Sequence, residues 1–251
     1  MDLAFTDEQD MLRQAVRGLC TDALESVRLL EDDPKGFDDN FWGQLASMGL
    51  TGLMLDEEHG GSAMGLLDAV IVYEEFGRSL VPSPHLESTV VSAGVLARAG
   101  TPDQQAEWLP GIADGRSILT PAWLEPDNSS GPSGIRLSAV ADSDEVVLTG
   151  TKRHVAFASA ADRLVVLARG EAGIDLYLLD PRADGVTLTL QRTVAGDTPS
   201  SNLFATVRLP AGSAKSTYVR TTASSTWRSR SESSWPTGSV FLRVIYQLTL
   251  G

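Results

Sequence analysis

Three places in the chain bring reactive residue types close enough together to do chemistry. The first is Glu74-Glu75, adjacent carboxylates beside Tyr73, a setting that could split two pKa values into an acid and a base. Neighbours on a helix point about 100° apart and do not share one site, so the alternative is one solvated acid and one acid in a helix pair with Arg78. The second is His59-Gly60-Gly61, a glycine-rich run of the oxyanion-loop kind; with no nucleophile elbow to serve, it reads as a flexible crossing. The third is Thr120 to Pro126, which leaves a strand and enters the polar turn Asp127 to Gly134. Backbone amides and hydroxyls there could bind a phosphate or the polar edge of a flat ring. The alternative is a surface loop with Trp123 packed into the strand core.

Other chemistries lack their sequence basis. No G-x-G-x-x-G follows a strand, and no G-x-x-x-x-G-K-[ST] or G-x-S-x-G occurs, which argues against a Rossmann site, a P-loop and a hydrolase elbow. Cys20 is the single cysteine, so no internal disulfide or thiolate cluster forms, and His59, His85 and His154 lack metal-ligand spacing. A reduced, cytoplasmic setting is the expectation. No apolar run is long enough to span a bilayer, and Met1 to Gln9 carries acids where an export signal would carry bases. A net charge of −13 disfavours nucleic acid and anionic membrane surfaces. Asn128-Ser129-Ser130 matches the glycosylation triplet, which in an unexported chain is a turn.

The elements that must position these residues fall into two blocks. Thr6-Asp7-Glu8-Gln9 is a capping box, and Leu12, Ala15, Val16, Leu19, Ala23 and Val27 lay one apolar stripe along a helix to about Leu29. Asp38 or Asp39 caps a second helix with Phe41, Leu45 and Met48 on its buried side, ended by Gly49. Leu66, Val70, Tyr73 and Phe76 predict a third buried stripe ending at Gly77; Leu86, Val90, Ala93 and Leu96 predict a fourth ending at Gly100. Thr101-Pro102-Asp103-Gln104 starts a fifth. After Gly115 the period falls to two. Runs at 117–123, 135–139, 145–148, 163–168, 175–179, 186–190 and 203–209, separated by turn residues, predict about seven strands in a small sandwich or barrel. The fold class is therefore α+β, with a helical domain over residues 1–115 and a β-domain over 116–212.

In order and spacing, a succession of short segments resembles the acyl-CoA dehydrogenase family. They are Phe5-Thr6-Asp7-Glu8-Gln9, Met48-Gly49-Leu50, Asp56 to Gly61, Tyr73-Glu74-Glu75-Phe76-Gly77-Arg78, Gly100 to Gln105 and Trp108 to Gly115, then Ala122-Trp123-Leu124-Glu125-Pro126, Gly150-Thr151-Lys152 and Ala160-Ala161-Asp162 leading to Val165–Arg169. The resemblance covers roughly Met1 to Pro210. It implies FAD against the β-domain, a carboxylate that takes the α-proton of an acyl-CoA thioester, hydride transfer from the β-carbon to the flavin, and a trans-2-enoyl product. It also implies an electron-transfer flavoprotein as acceptor and a homo- or hetero-oligomer. By resemblance the first flavin-facing loop is Trp123 and Leu124 with the turn to Ser129 and Ser130. Ser130 falls near the flavin pyrophosphate and the thioester. The second flavin-facing segment is His154 to Ala156.

The chain departs from the family pattern at several of these positions. Leu124 stands where a hydroxyl residue usually precedes the motif glutamate, Ser129-Ser130-Gly131 replaces a Gly-Ser-Asp ending, and His154 and Ala156 replace an aromatic and a hydroxyl. Flavin contact is then expected through backbone groups. From Ser213 to Gly251 five bases face one acid, a charge of +4, which leaves 15 bases and 32 acids before it, a charge of −17. That tail holds nine Ser and six Thr, and within it Ser239 to Leu250 reads as a strand. A truncated or frame-shifted ending, or a disordered one, is the expectation, with no catalytic base nameable because the family draws it from a C-terminal helical domain. Three roles follow: a dehydrogenase by ancestry inactive alone, a non-catalytic subunit paired with a complete dehydrogenase, or a small-ligand module without redox chemistry.

Overall fold

The computed structural model describes residues 5–27, 30, 33, 35–126, 131–142, 145–171, 173–191 and 204–219. Helix α1 spans Asp7–Asp22, with Thr6 Oγ1 accepting from Gln9 N–H and Gln9 Oε1 accepting from Thr6 N–H. It stops at Ala23, and a separate short α2 occupies Leu24–Val27, so the single helix expected to about Leu29 is broken; Arg28 and Leu29 lie outside the described residues. Helix α3 (Asp39–Ser47) is capped by the Asp38 carboxylate, and Gly49 follows in the left-handed region at φ 73°. Helix α4 spans Leu66–Ser79. A π-helical turn over Leu86–Ser92 runs into α5 (Ala93–Ala99), and α6 spans Pro102–Ala113 with Thr101 and Gln104 forming its capping box.

The α4 stripe expected from the spacing is rotated. Leu66 and Val70 are exposed, whereas Ala69, Val72, Glu75 and Phe76 are buried. The physical reason lies on α1, whose arginines draw Glu75 inward and fix which face of α4 meets it. Together with Val16, Phe41 and Leu45, this face of α4 forms the helical core.

Strands β1 (Leu119–Ala122), β2 (Ser138–Asp142), β3 (Glu145–Ala156), β4 (Arg163–Gly170), β5 (Gly173–Leu179), β6 (Thr187–Gln191) and β7 (Phe204–Val219) form one mixed sheet. The sheet runs β1-β4-β2-β3-β7-β5, β6 pairs with β7, and β5 also pairs with β4, so it curls back on itself as a barrel-like layer. β1 is parallel to β4, while β2–β3, β3–β7, β4–β5 and β6–β7 are antiparallel. β7 crosses the expected boundary at residue 212: Lys215 pairs with Val147 and Thr217 with Leu178. The run Lys215 to Val219 is rich in Thr, Tyr and Val, which suit a pleated surface. The strand expected at Ser239 to Leu250 lies outside the described residues.

One shared core joins the two blocks, with Leu96, Leu109 and Ile112 from the helices packed with Leu119, Val165 and Leu178 from the sheet. Hydrogen bonds seal the junction. Trp42 Nε1 donates to Gly115 O at 2.8 Å and Thr51 Oγ1 to Ala113 O at 2.7 Å. Ile118 N–H donates to the Asp162 carboxylate at 2.9 Å, and Asp162 N–H to Ile118 O at 2.7 Å. The start of β1 is therefore fixed before the chain enters the loop that carries the candidate site. Among the described residues, no helix is long and apolar enough to cross a membrane.

Candidate cofactor site

The loop leaving β1 is built around a buried ion pair. Glu125 accepts from Arg136 N–H at 3.0 Å on each oxygen and from Leu137 N–H at 3.0 Å. Lys152 Nζ donates to Glu125 Oε1 at 2.7 Å and to Trp123 O at 3.3 Å. Lys152 has no exposed surface and Glu125 only 7%. Burial pushes the Lys152 amine below its ordinary pKa, and the hydrogen bond and charge of Glu125 oppose that shift. Leu148, Gly150 and Lys152 share one strand phase, which aims the lysine at the core. Two segments that the sequence reading linked only by resemblance are thus bonded to each other.

A second set of contacts shapes β3 opposite this loop. The β3–β7 register slips between Lys152 and Val155. In that bulge Arg153 N–H donates to Leu124 O at 2.8 Å, and His154 N–H donates to Gln191 Oε1 at 3.1 Å. His154 sits at φ 54° and Phe157 at φ 50°, in a left-handed region that side chains other than glycine enter only when neighbours hold them there. Thr120 Oγ1 donates to Ala156 O at 2.7 Å, tying the bulged strand to β1.

The structure therefore brings Trp123, Leu124, His154 and Ala156 to one edge of the sheet. Leu124 and His154 are exposed, Trp123 is half-buried and Ala156 is buried. Ser129 and Ser130 lie outside the described residues. Among the described residues the Leu124 N–H has no acceptor, and neither Leu124 nor Ala156 carries a hydroxyl.

The paired acids are separate, as helix geometry requires. Glu74 is exposed and accepts from Arg13 at 3.3 Å, while Glu75 is buried and accepts from Arg17 Nε and Nη2 at 2.9 and 2.8 Å. Arg78 Nε lies 3.3 Å from Glu75, so the expected helix partner contributes, but Arg17 of α1 is the closer one. The Arg17 hydrogen bonds hold the Glu75 carboxyl below its ordinary pKa, which keeps it a charged anchor.

A polar cluster that the sequence reading missed lies between α4 and the π-helical turn. His85 is fully buried; Nε2–H donates to Leu50 O at 2.9 Å, so Nδ1 accepts from Tyr73 Oη at 2.9 Å. Burial pushes the His85 imidazole down to about 4 and the Glu87 carboxyl up to about 7, and raises the Tyr73 hydroxyl, a rise to which the charge of Glu87 adds. The signal available was Tyr73 twelve residues before a histidine that sits beside two prolines. Gly61 makes the expected crossing a tight one: a Cβ there would lie 2.0 Å from Leu55 O. Among the described residues, no three His, Cys, Asp or Glu side chains are grouped to hold a metal.

Residues 6–116 match the family acyl-CoA dehydrogenase, N-terminal domain. Acyl-CoA dehydrogenase FadE27 of Mycobacterium tuberculosis (strain ATCC 25618 / H37Rv) is 33% identical over 190 residues, 76% of this chain and 49% of that relative. The solved ChsE4-ChsE5 complex from Mycobacterium tuberculosis contains a chain 28% identical, with a TM-score of 0.76, covering 90% of this chain and 60% of that one. A glutaryl-CoA dehydrogenase from Mycobacterium smegmatis in complex with FADH2 shares the fold, at 21% identity and a TM-score of 0.75, covering 86% of this chain and 55% of that one. The chain spans about half the length of the curated relatives it matches. It belongs to the acyl-CoA dehydrogenase family, of which it carries the N-terminal helical domain and the middle β-domain.

Proposed function

We propose that the chain is the flavin-holding part of an acyl-CoA dehydrogenase that works in association with a second polypeptide. Trp123, Leu124, His154 and Ala156, with Ser129 and Ser130 further along the same segment of sequence, hold FAD, and Ser130 also meets the thioester. FAD, when bound, supplies the two-electron acceptor for the hydride leaving the β-carbon of the acyl-CoA. The Leu124 amide orients the ring edge, the bulge at His154 sets the opposite limit, and the apolar Leu124 side chain keeps water from it. An electron-transfer flavoprotein is the outlet for the electrons.

The observation that carries this reading is the direct bonding of the two ring-facing segments, Leu124 to Arg153 and Trp123 to Lys152. The second polypeptide enters because the α-proton still needs a base. Of the buried carboxyls, Glu75 and Glu125 are held in ion pairs and Glu87 belongs to the polar cluster of Tyr73 and His85, so none is assigned as the base, and the ChsE4-ChsE5 relative is a complex of two named components. The visible spectrum of the purified chain after incubation with FAD, followed by turnover with an artificial acceptor, tests both halves. A flavin band with turnover appearing only on addition of a partner dehydrogenase subunit is expected. A chain that takes up no FAD refutes the cofactor assignment, and turnover by the chain alone refutes the division of labour.

A further inference from the structure

The contact between Gln191 and the β3 bulge is used by nothing described so far. Gln191 ends β6, and Phe204 of β7 pairs with Gln191 on one side and with Ala156 of β3 on the other. From that position the Gln191 side chain reaches past the start of β7 and accepts the His154 N–H at 3.1 Å. The register slip between Lys152 and Val155 takes Arg153 and His154 out of the β3–β7 ladder, so their amides need other acceptors. Arg153 finds the Leu124 carbonyl, a main-chain group that any side chain at 124 would supply. His154 finds the amide oxygen of Gln191, which depends on the residue type. His154 also holds the left-handed φ of 54°, a conformation that persists only where contacts fix it.

We propose that Gln191 is a positioning residue: its side-chain oxygen fixes the bulge of β3 and thereby sets how His154 and Ala156 face the cofactor. The inference rests on the flavin reading above and adds a residue far from the ring-facing segments in sequence. Position 191 is under a chemical requirement, an acceptor of the right length, that a solvent-facing strand end would not otherwise have. A hydrogen bond of this kind corresponds to roughly a tenfold change in an equilibrium.

The test uses the full chain with Gln191→Leu and Gln191→Glu. In the chain without FAD, hydrogen exchange at the His154 amide should be about tenfold faster in Gln191→Leu and near the unsubstituted rate in Gln191→Glu. FAD titration followed by the visible band should show binding about tenfold weaker for Gln191→Leu. Gln191→Glu should restore binding, and its negative charge at the His154 amide would lower the flavin midpoint potential if the flavin lies against the bulge. Unchanged His154 exchange in Gln191→Leu overturns the clamp. Faster exchange with unchanged FAD binding and potential overturns its role in positioning. An unsubstituted chain that binds no FAD refutes the flavin reading and with it the cofactor role, while exchange at His154 still decides whether Gln191 holds the bulge.

Discussion

Replacing Lys152 with methionine removes the cation from the Glu125 ion pair and the donor to Trp123 O while filling nearly the same volume. Glu125 would then be a buried carboxylate without a counter-charge. Removing one partner of a buried pair costs roughly 3–5 kcal/mol. Here the carboxylate keeps the N–H groups of Arg136 and Leu137 at 3.0 Å, so the lower end applies and about 3 kcal/mol is expected. That is a large share of the roughly 5–15 kcal/mol of an ordinary domain. Glu125→Gln is the complementary change. It retains an acceptor for both amides but strands a fully buried ammonium whose pKa is already lowered by burial. The unfolded lysine binds its proton up to about pH 10.5 while the folded one releases it earlier, so the stability of Glu125→Gln should rise with pH as the medium approaches that value from below. Urea unfolding followed by tryptophan fluorescence at pH 7 and pH 9 measures both. A loss below about 1 kcal/mol for Lys152→Met, or a Glu125→Gln deficit that is the same at both pH values, would refute the view that this pair anchors the loop.

Other consequences follow from the buried polar groups. His85, lowered to about 4, makes stability rise with pH between about 4 and 6.5, because the unfolded imidazole takes up a proton there that the folded one refuses. Glu87, raised to about 7, makes stability fall with pH between about 4.5 and 7, so the two slopes oppose; His85→Gln should leave the falling slope and Glu87→Gln the rising one, read from denaturant midpoints across that range. Arg17→Met should lower the denaturant midpoint at pH 7 by less than loss of a fully buried pair would, since Arg17 is half-exposed and Arg13 and Arg78 remain near Glu75, and the deficit should shrink as acid protonates that carboxyl. Gly61→Ala, with its Cβ 2.0 Å from Leu55 O, should cost about 4 kcal/mol or abolish folding, measured by thermal unfolding monitored with circular dichroism.

The fold was largely legible in the sequence because its two blocks keep different periods. Thr6, Asp38 and Thr101 each cap a helix where hydroxyl or carboxylate chemistry requires, and each of the seven strand runs expected between residues 117 and 209 overlaps an observed strand. What escaped reading depends on three-dimensional partners. Leu66 and Val70 fit a buried stripe by spacing, yet the pull of Arg17 on Glu75 decides which face of α4 turns inward. The turn Leu86–Ser92 has apolar spacing that an α-helix and a π-helix satisfy equally. Lys152 gave a usable signal that was not taken up: it shares the phase of Leu148 and Gly150, and a lysine on the inward side of a strand demands an acid.

That demand also explains how the departures at the ring-facing positions are compatible with an intact edge. The loop after β1 takes its shape from Glu125, Lys152 and main-chain contacts at Trp123, Leu124, Arg136 and Leu137, none of which uses the side chain of residue 124. Ala156 is likewise tied through its carbonyl to Thr120, not through its methyl group. Leu124 and Ala156 can therefore lack hydroxyls at little cost to folding; under the proposed function the loss would fall on direct bonding to the cofactor. Under that proposal the chain would keep a shaped edge with a weaker grip on the cofactor, and contacts from a second polypeptide would contribute most where that grip is weakest. Restoring a hydroxyl by Leu124→Thr should accordingly strengthen FAD retention by the isolated chain by up to about tenfold with little change in unfolding midpoint. Equal retention in both forms, with or without a partner subunit, would mean that the backbone edge alone sets the affinity.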